Sequence, residues 1–216
     1  MNELDTTPLD PALKKELIAA SEEGDATSQC MLAHCYGRGV YVAQDFAESL
    51  KWARLAAEQG DSEGCYLVGI HYLYGLDVTR DVEEAVKWLE PAADKQHANA
   101  AYDLGVLYAN GEGVLRSPLL AYKWLVYSAT LAKAKVSSNS NTDTELEIAE
   151  TVDEAIDWLM EQMTSSQIMK AEEIWIDYAK RIINDTVAAQ ERLTNLWITN
   201  LGSRIVDLVL RRDWTN

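Results

Sequence analysis

The chain has 216 residues, 48% hydrophobic and 25% charged, and its 35 acids against 19 bases give a formal net charge of -16. That apolar fraction supports a packed core and excludes disorder over most of the length, and no stretch approaches the run of about 18 apolar residues that a membrane span needs. So acidic a body repels phosphate backbones and anionic lipid, which excludes nucleic acid and membrane as partners and favours a basic protein.

The opening MNELDTTPLD is acidic and has neither a basic n-region nor an apolar h-region, so the expected location is cytoplasmic. Residues 9–23 (LDPALKKELIAASEE) carry helical periodicity and are followed by Gly24, so 1–24 is predicted to be an N-terminal capping helix. From 25 to 132 the sequence repeats. Trp52, Trp88 and Trp124 stand 36 residues apart, each preceded by a lysine (Lys51, Lys87, Lys123). Tyr36, Tyr72 and Tyr108 form a second column, Gly39, Gly75 and Gly111 a third, and Ala33, Gly69 and Gly105 a column of small residues. Three units follow, about 25–60, 61–96 and 97–132.

Each unit reads as two helices. The first ends in a glycine turn (YGRG, YLYG, YANGEG), where positive φ stops the helix. The second starts at Asp45, Asp81 or Ser117, all good N-caps, and Glu48 and Glu84 stand three residues later as capping-box partners. Pro118 follows the third cap at the first helical position. Polar residues then predict a loop over 133–144, centred on VSSNSNTDT at 136–144. The region 145–216 is predicted to be a helical cap or small bundle. It comprises a helix over 145–162, another opening at the capping box TSSQ (164–167) and running to about Arg181, and two more near 185–199 and 201–212.

These columns identify a resemblance. LGVLYANGEGV (104–114) and the D-x-x-x-A-x-x-W pattern with its following Ala-Ala (81–93) resemble the Sel-one-like repeat (SLR) proteins, relatives of the tetratricopeptide repeats. MTSSQIMKA (163–171) is similar to the helix that often closes such arrays. The resemblance implies an all-α, right-handed superhelical solenoid of helix-turn-helix repeats. It further implies a module that binds other proteins through its concave surface, as adaptor or regulator, without implying one activity. Some secreted members associated with β-lactams carry paired cysteines within each repeat; those pairs are absent here.

Beside the consensus columns, the first helices keep a variable stripe at i, i+4, i+7 and i+11. It comprises Thr27, Met31, His34 and Arg38, then Glu63, Leu67, Ile70 and Tyr74, then Asn99, Asp103, Val106 and Asn110. By the resemblance, this face lines the groove. Met31, Leu67, Ile70, Tyr74 and Val106 are then the apolar strip of a partner site and the polar members its rim. The competing reading makes the same residues core, covered by neighbouring helices.

Eight acids lie between Val136 and Met169 with no lysine or arginine among them; Glu147, Glu150, Asp153, Glu154 and Asp157 lie at its centre. They either steer a basic partner or form the solvated face of a helix whose other side carries Ile148, Val152, Ile156 and Leu159. Cys30, Cys35, Cys65, His34 and His71 show neither CxxC nor HExxH spacing, so no metal is expected and the thiols read as reduced and packing. No catalytic residue and no cofactor are expected either, because nucleophile elbows and phosphate loops are absent. The expected function is non-enzymatic recognition of a basic protein. Three alternatives stay open: a cytoplasmic immunity or inhibitor protein neutralising a toxin or enzyme, a small-ligand binder or enzyme with a pocket between array and C-terminal helices, and a homodimer.

Overall fold

The computed structural model describes residues 11–137 and 143–185. Among them the secondary structure is helical throughout: α1 (Pro11–Glu22), α2 (Ala26–Arg38), α3 (Phe46–Glu58), α4 (Ser62–Tyr74), α5 (Val82–Asp94), α6 (Ala98–Asn110), α7 (Pro118–Ser137), α8 (Asp143–Glu161) and α9 (Ser165–Asp185). The fold class is an all-α solenoid of helical pairs repeating at 36 residues. The chain clusters into two compact units. The first runs through Leu104 and takes in Glu112–Val114, while the second holds Gly105–Gly111 and the chain from Leu115, so the division falls inside α6.

In the first unit, α2 packs on α3, α4 on α5, and α3 on α4, with α1 against α2. The repeated columns explain this packing. Gly75, at φ 70°, caps α4 in the left-handed conformation, and its N–H donates to the His71 carbonyl. Asp45 caps α3 by accepting from the N–H groups of Ala47 and Glu48 at 3.0 and 3.1 Å, and Asp81 caps α5 by accepting from Glu84 N–H at 3.0 Å. The expected reciprocal half of these capping boxes gives way to another arrangement. The Asp45 N–H already donates to the Tyr36 carbonyl and that of Asp81 to the Tyr72 carbonyl, at 2.9 and 3.0 Å. Each glutamate is therefore released to other donors: Glu48 accepts from the Trp52 indole at 3.1 Å and from Lys51, and Glu84 accepts from Lys87 at 2.7 Å. The tyrosine column thus fixes the turn through its backbone carbonyl.

The small column sets helix spacing. A Cβ built on Gly69 would stand 2.8 Å from Leu89 Cδ2 and 3.4 Å from the Ala85 carbonyl, so only glycine admits Leu89 there. In the first repeat the equivalent positions are Ala33 and Ala53, a different division of the same volume.

In the second unit α7 packs against both α8 and α9. Its central residues Ala121, Tyr122, Trp124, Leu125, Val126, Tyr127, Ser128 and Ala129 are all buried, as expected of a helix covered on several sides. Trp124, Tyr127, Trp175 and Tyr178 form an aromatic cluster with ring centroids 5.3–6.4 Å apart, and the Lys123 ammonium sits 3.7 Å from the Trp124 centroid and 3.8 Å from that of Tyr178. Val152, Ile156 and Leu159 of α8 are buried, as their spacing predicts.

The loop over 133–144 is shorter than expected. α7 continues to Ser137 and α8 already begins at Asp143, because Ala132, Lys133, Ala134 and Lys135 are good helix formers that extend the second helix of the last repeat. The capping box at Thr164 forms in both directions: Thr164 N–H donates to Gln167 Oε1 at 2.9 Å, and Gln167 N–H to Thr164 Oγ1 at 3.3 Å. The helices expected near 185–199 and 201–212 lie outside the described residues.

Candidate functional site

The first helices of the repeats begin at one shared column, Asp25, Asp61 and His97. Asp25 caps α2 by accepting from Ser28 N–H at 2.7 Å, and Asp61 caps α4 by accepting from Gly64 N–H at 2.9 Å. In the third repeat a histidine holds this position: His97 Nδ1 accepts from the Ala100 N–H at 3.2 Å. That bond leaves the proton on Nε2, which donates to Glu63 Oε2 at 2.9 Å. The other oxygen of the same carboxylate accepts from His34 Nε2 at 2.8 Å. Glu63 is therefore clamped between imidazoles from the two flanking repeats, and one carboxylate connects α2, α4 and the start of α6. The hydrogen bonds from His34 and His97 hold its pKa well below the usual carboxylate range.

A second pair sits beside this clamp. The Tyr66 ring stacks on His97 with centroids 4.3 Å apart and planes 24° from parallel. Its hydroxyl lies close to the carboxylate of Asp103. Burial pushes the Asp103 pKa up to about 6, opposed by nearby His97 and by the Tyr66 hydrogen bond. Burial also raises the Tyr66 and Tyr74 hydroxyls, so both stay protonated donors.

On the stripe read from sequence, Met31 is 55% and Tyr74 63% exposed, and Arg38 is exposed near Tyr66. His34, Glu63, Ile70 and Asp103 are half-buried. Leu67 differs from expectation: at 8% exposure it belongs to the core, because α4 is packed against α2, α3 and α5 and its apolar residues are covered on several sides. Val106 is half-buried and Asn110 exposed, both in the second unit. Asp153 and Asp157 of α8 are half-buried and Glu154 is exposed, while the side chains of Glu147 and Glu150 fall outside the described residues. The sequence reading passed over His97 and Tyr66. The visible trace was a histidine in a column otherwise holding aspartate N-caps.

The remaining histidine and the Cys30 thiol are occupied internally. His71 is buried, its Nδ1 donates to the Leu76 carbonyl at 2.9 Å, its Nε2 lies 3.1 Å from Ser49 Oγ, and burial lowers its pKa. The Cys30 thiol donates to Asp61 Oδ1 at 3.1 Å, and burial with that bond pushes its pKa up, away from thiolate reactivity. Among the described residues no three His, Cys, Asp or Glu side chains are arranged to hold a metal ion, and no helix is long and apolar enough to cross a membrane.

Known proteins carry the same repeat. Sel1 repeat family models match residues 26–61, 62–97 and 98–132; the pairs α2–α3 and α4–α5 fall within the first two bounds, and α7 of the third pair runs past its bound to Ser137. The chain is a Sel1-like repeat protein. It is similar to a Sel1 repeat protein from Oxalobacter formigenes (25% identity, TM-score 0.53, 72% of this chain and 50% of that one). It is also similar to c5321, a protective antigen of uropathogenic Escherichia coli strains with an SLR fold (28% identity, TM-score 0.52, 85% of this chain and 44% of that one). The chain thus spans half or less of the length of either structure. No curated protein sequence matches it. Sel1 repeat proteins generally mediate protein–protein interaction, and the fold is typically a non-enzymatic scaffold.

Proposed function

We propose that this Sel1-like repeat protein is a non-enzymatic recognition module that holds a basic protein on the face formed by its first helices. The observation that carries this reading is the exposure of large side chains there. Met31 and Tyr74 stand 55% and 63% exposed, next to half-buried Ile70 and the polar groups His34, Glu63, Asp103 and Arg38. An apolar centre with a polar surround is the arrangement that concentrates binding energy in few residues. The net charge of -16 favours a basic partner and speeds encounter with it. Whether the bound protein is inhibited or scaffolded follows from that partner's own activity.

The test compares affinity capture by wild type, by Met31→Glu/Tyr74→Ala, and by Leu55→Glu, whose site on α3 is 38% exposed and lies off the proposed face. Circular dichroism first establishes that all three fold. The reading expects a basic protein retained by wild type and Leu55→Glu and lost from the double variant; equal retention by all three contradicts it.

A further inference from the structure

Asp103 lies on α6, in the part of that helix that belongs to the first unit. It is half-buried, and among the described residues no lysine or arginine forms an ion pair with it. The Tyr66 hydroxyl lies close to it, and stacking on His97, itself held by Glu63, fixes the Tyr66 ring. Tyr74 lies near the same carboxylate with 63% of its surface exposed and no aromatic partner among the described rings. The other titratable groups around this pair are Glu63 on α4, His97 and Tyr102, which both precede Asp103 in the chain, Glu112 in the following turn, and Arg38 on α2. Arg38, the one permanent cation in that set, influences Tyr66.

From this geometry we infer that Asp103, Tyr66 and Tyr74 form a receptor for a single lysine or arginine side chain of the basic partner; this rests on the reading of the first-helix face given above. A carboxylate taken out of water without a cation costs stability, and an incoming ammonium or guanidinium relieves that cost while the exposed Tyr74 ring contacts its face. The Tyr66 hydroxyl borders the carboxylate, whose several lone pairs leave room for the ligand. Glu63 contributes negative potential but is engaged by both imidazoles, so the charge-paired contact falls to Asp103.

Two consequences separate a receptor from a structural carboxylate. Asp103→Asn removes a desolvated charge that no cation balances, so the variant is at least as stable as wild type at pH 8 while binding less well. Binding also weakens as the pH falls through about 6, where Asp103 takes up its proton. The comparison is with Asp103→Asn, which lacks the part of the pH dependence due to Asp103.

The experiment uses the full chain and a dye-labelled, end-capped hexalysine peptide, read by fluorescence anisotropy near physiological salt. Glu154→Gln, at an exposed position of α8, controls for loss of one negative charge. Asp103→Asn is expected to weaken binding about tenfold, Tyr74→Ala about threefold, and Glu154→Gln less than about twofold. The carboxyl carbon of Asp103, followed by NMR, should titrate at lower pH with the peptide bound than without it. Equal losses in Asp103→Asn and Glu154→Gln would show attraction to diffuse charge and overturn the receptor, as would a destabilised Asp103→Asn that binds normally. If Met31→Glu/Tyr74→Ala loses the captured partner while Asp103→Asn keeps both partner and peptide, the receptor falls and the face reading stands. If Asp103→Asn alone loses the peptide and the double variant keeps the partner, the face reading falls instead.

Discussion

Glu63 shows how one side chain ties repeats together. Its two oxygens accept from His34 at 2.8 Å and His97 at 2.9 Å, so a single substitution cuts two contacts between successive first helices. With 38% of the Glu63 side chain exposed, solvent screening keeps the contribution small, and Glu63→Gln should cost about 1 kcal/mol in urea denaturation at pH 7. The sign of the pH dependence follows from the lowered pKa. The contribution is fully present above the ordinary glutamate value of 4.5 and declines as pH falls toward the folded value, so the gap between wild type and variant narrows in acid. Equal stability at pH 7 would show that the clamp adds nothing. His97→Asn separates the two roles of that residue, since asparagine still caps α6 but does not reproduce the imidazole link to Glu63. None of this bridge is legible from spacing alone, because His34, Glu63 and His97 lie 29 and 34 residues apart. The sequence shows only that a histidine occupies an aspartate column, and a cap explains that without a bridge.

Among elements, the repeat columns were readable because each residue type performs a backbone task. Glycine reverses the chain at φ 68–70°, aspartate closes a helix start, and a small residue lets two helices meet. Gly69 tests the last of these. Gly69→Ala pushes a methyl group against Leu89 and should cost about 1–3 kcal/mol, measured by thermal or chemical denaturation. The first repeat solves the same contact with Ala33 and Ala53, so Gly69→Ala/Leu89→Ala should be less destabilised than the two single changes added together; strict additivity would refute the coupling. Leu67 shows where pattern reading stops. In α4 Cys65, Leu67, Val68, His71 and Leu73 are all buried, so hydrophobicity extends around much of the helix and a stripe cannot be divided into groove and core from spacing. The long α7 was misjudged for a related reason: polar residues after Val136 signalled a loop, whereas the alanine-rich turn before them carried the helix to Ser137.

For the whole molecule, the net charge of -16 and the repeat class bear on the kind of partner, and the exposed residues of the first helices bear on where it sits. Charge and family were legible at once from composition and from the 36-residue period. The proposed binding face was legible only in part, since exposure depends on which neighbours cover each helix. Hydroxyl-radical footprinting of the chain, free and with its captured basic partner, tests the central claim most directly because oxidation reports the accessibility of individual side chains. Met31 and Tyr74 on the proposed face, and Trp158 and Met169 in the second unit, are 55%, 63%, 49% and 65% exposed and serve as internal reporters. The account predicts that the partner protects Met31 and Tyr74 and leaves Trp158 and Met169 unchanged; protection of Trp158 and Met169 with none at Met31 and Tyr74 would contradict it.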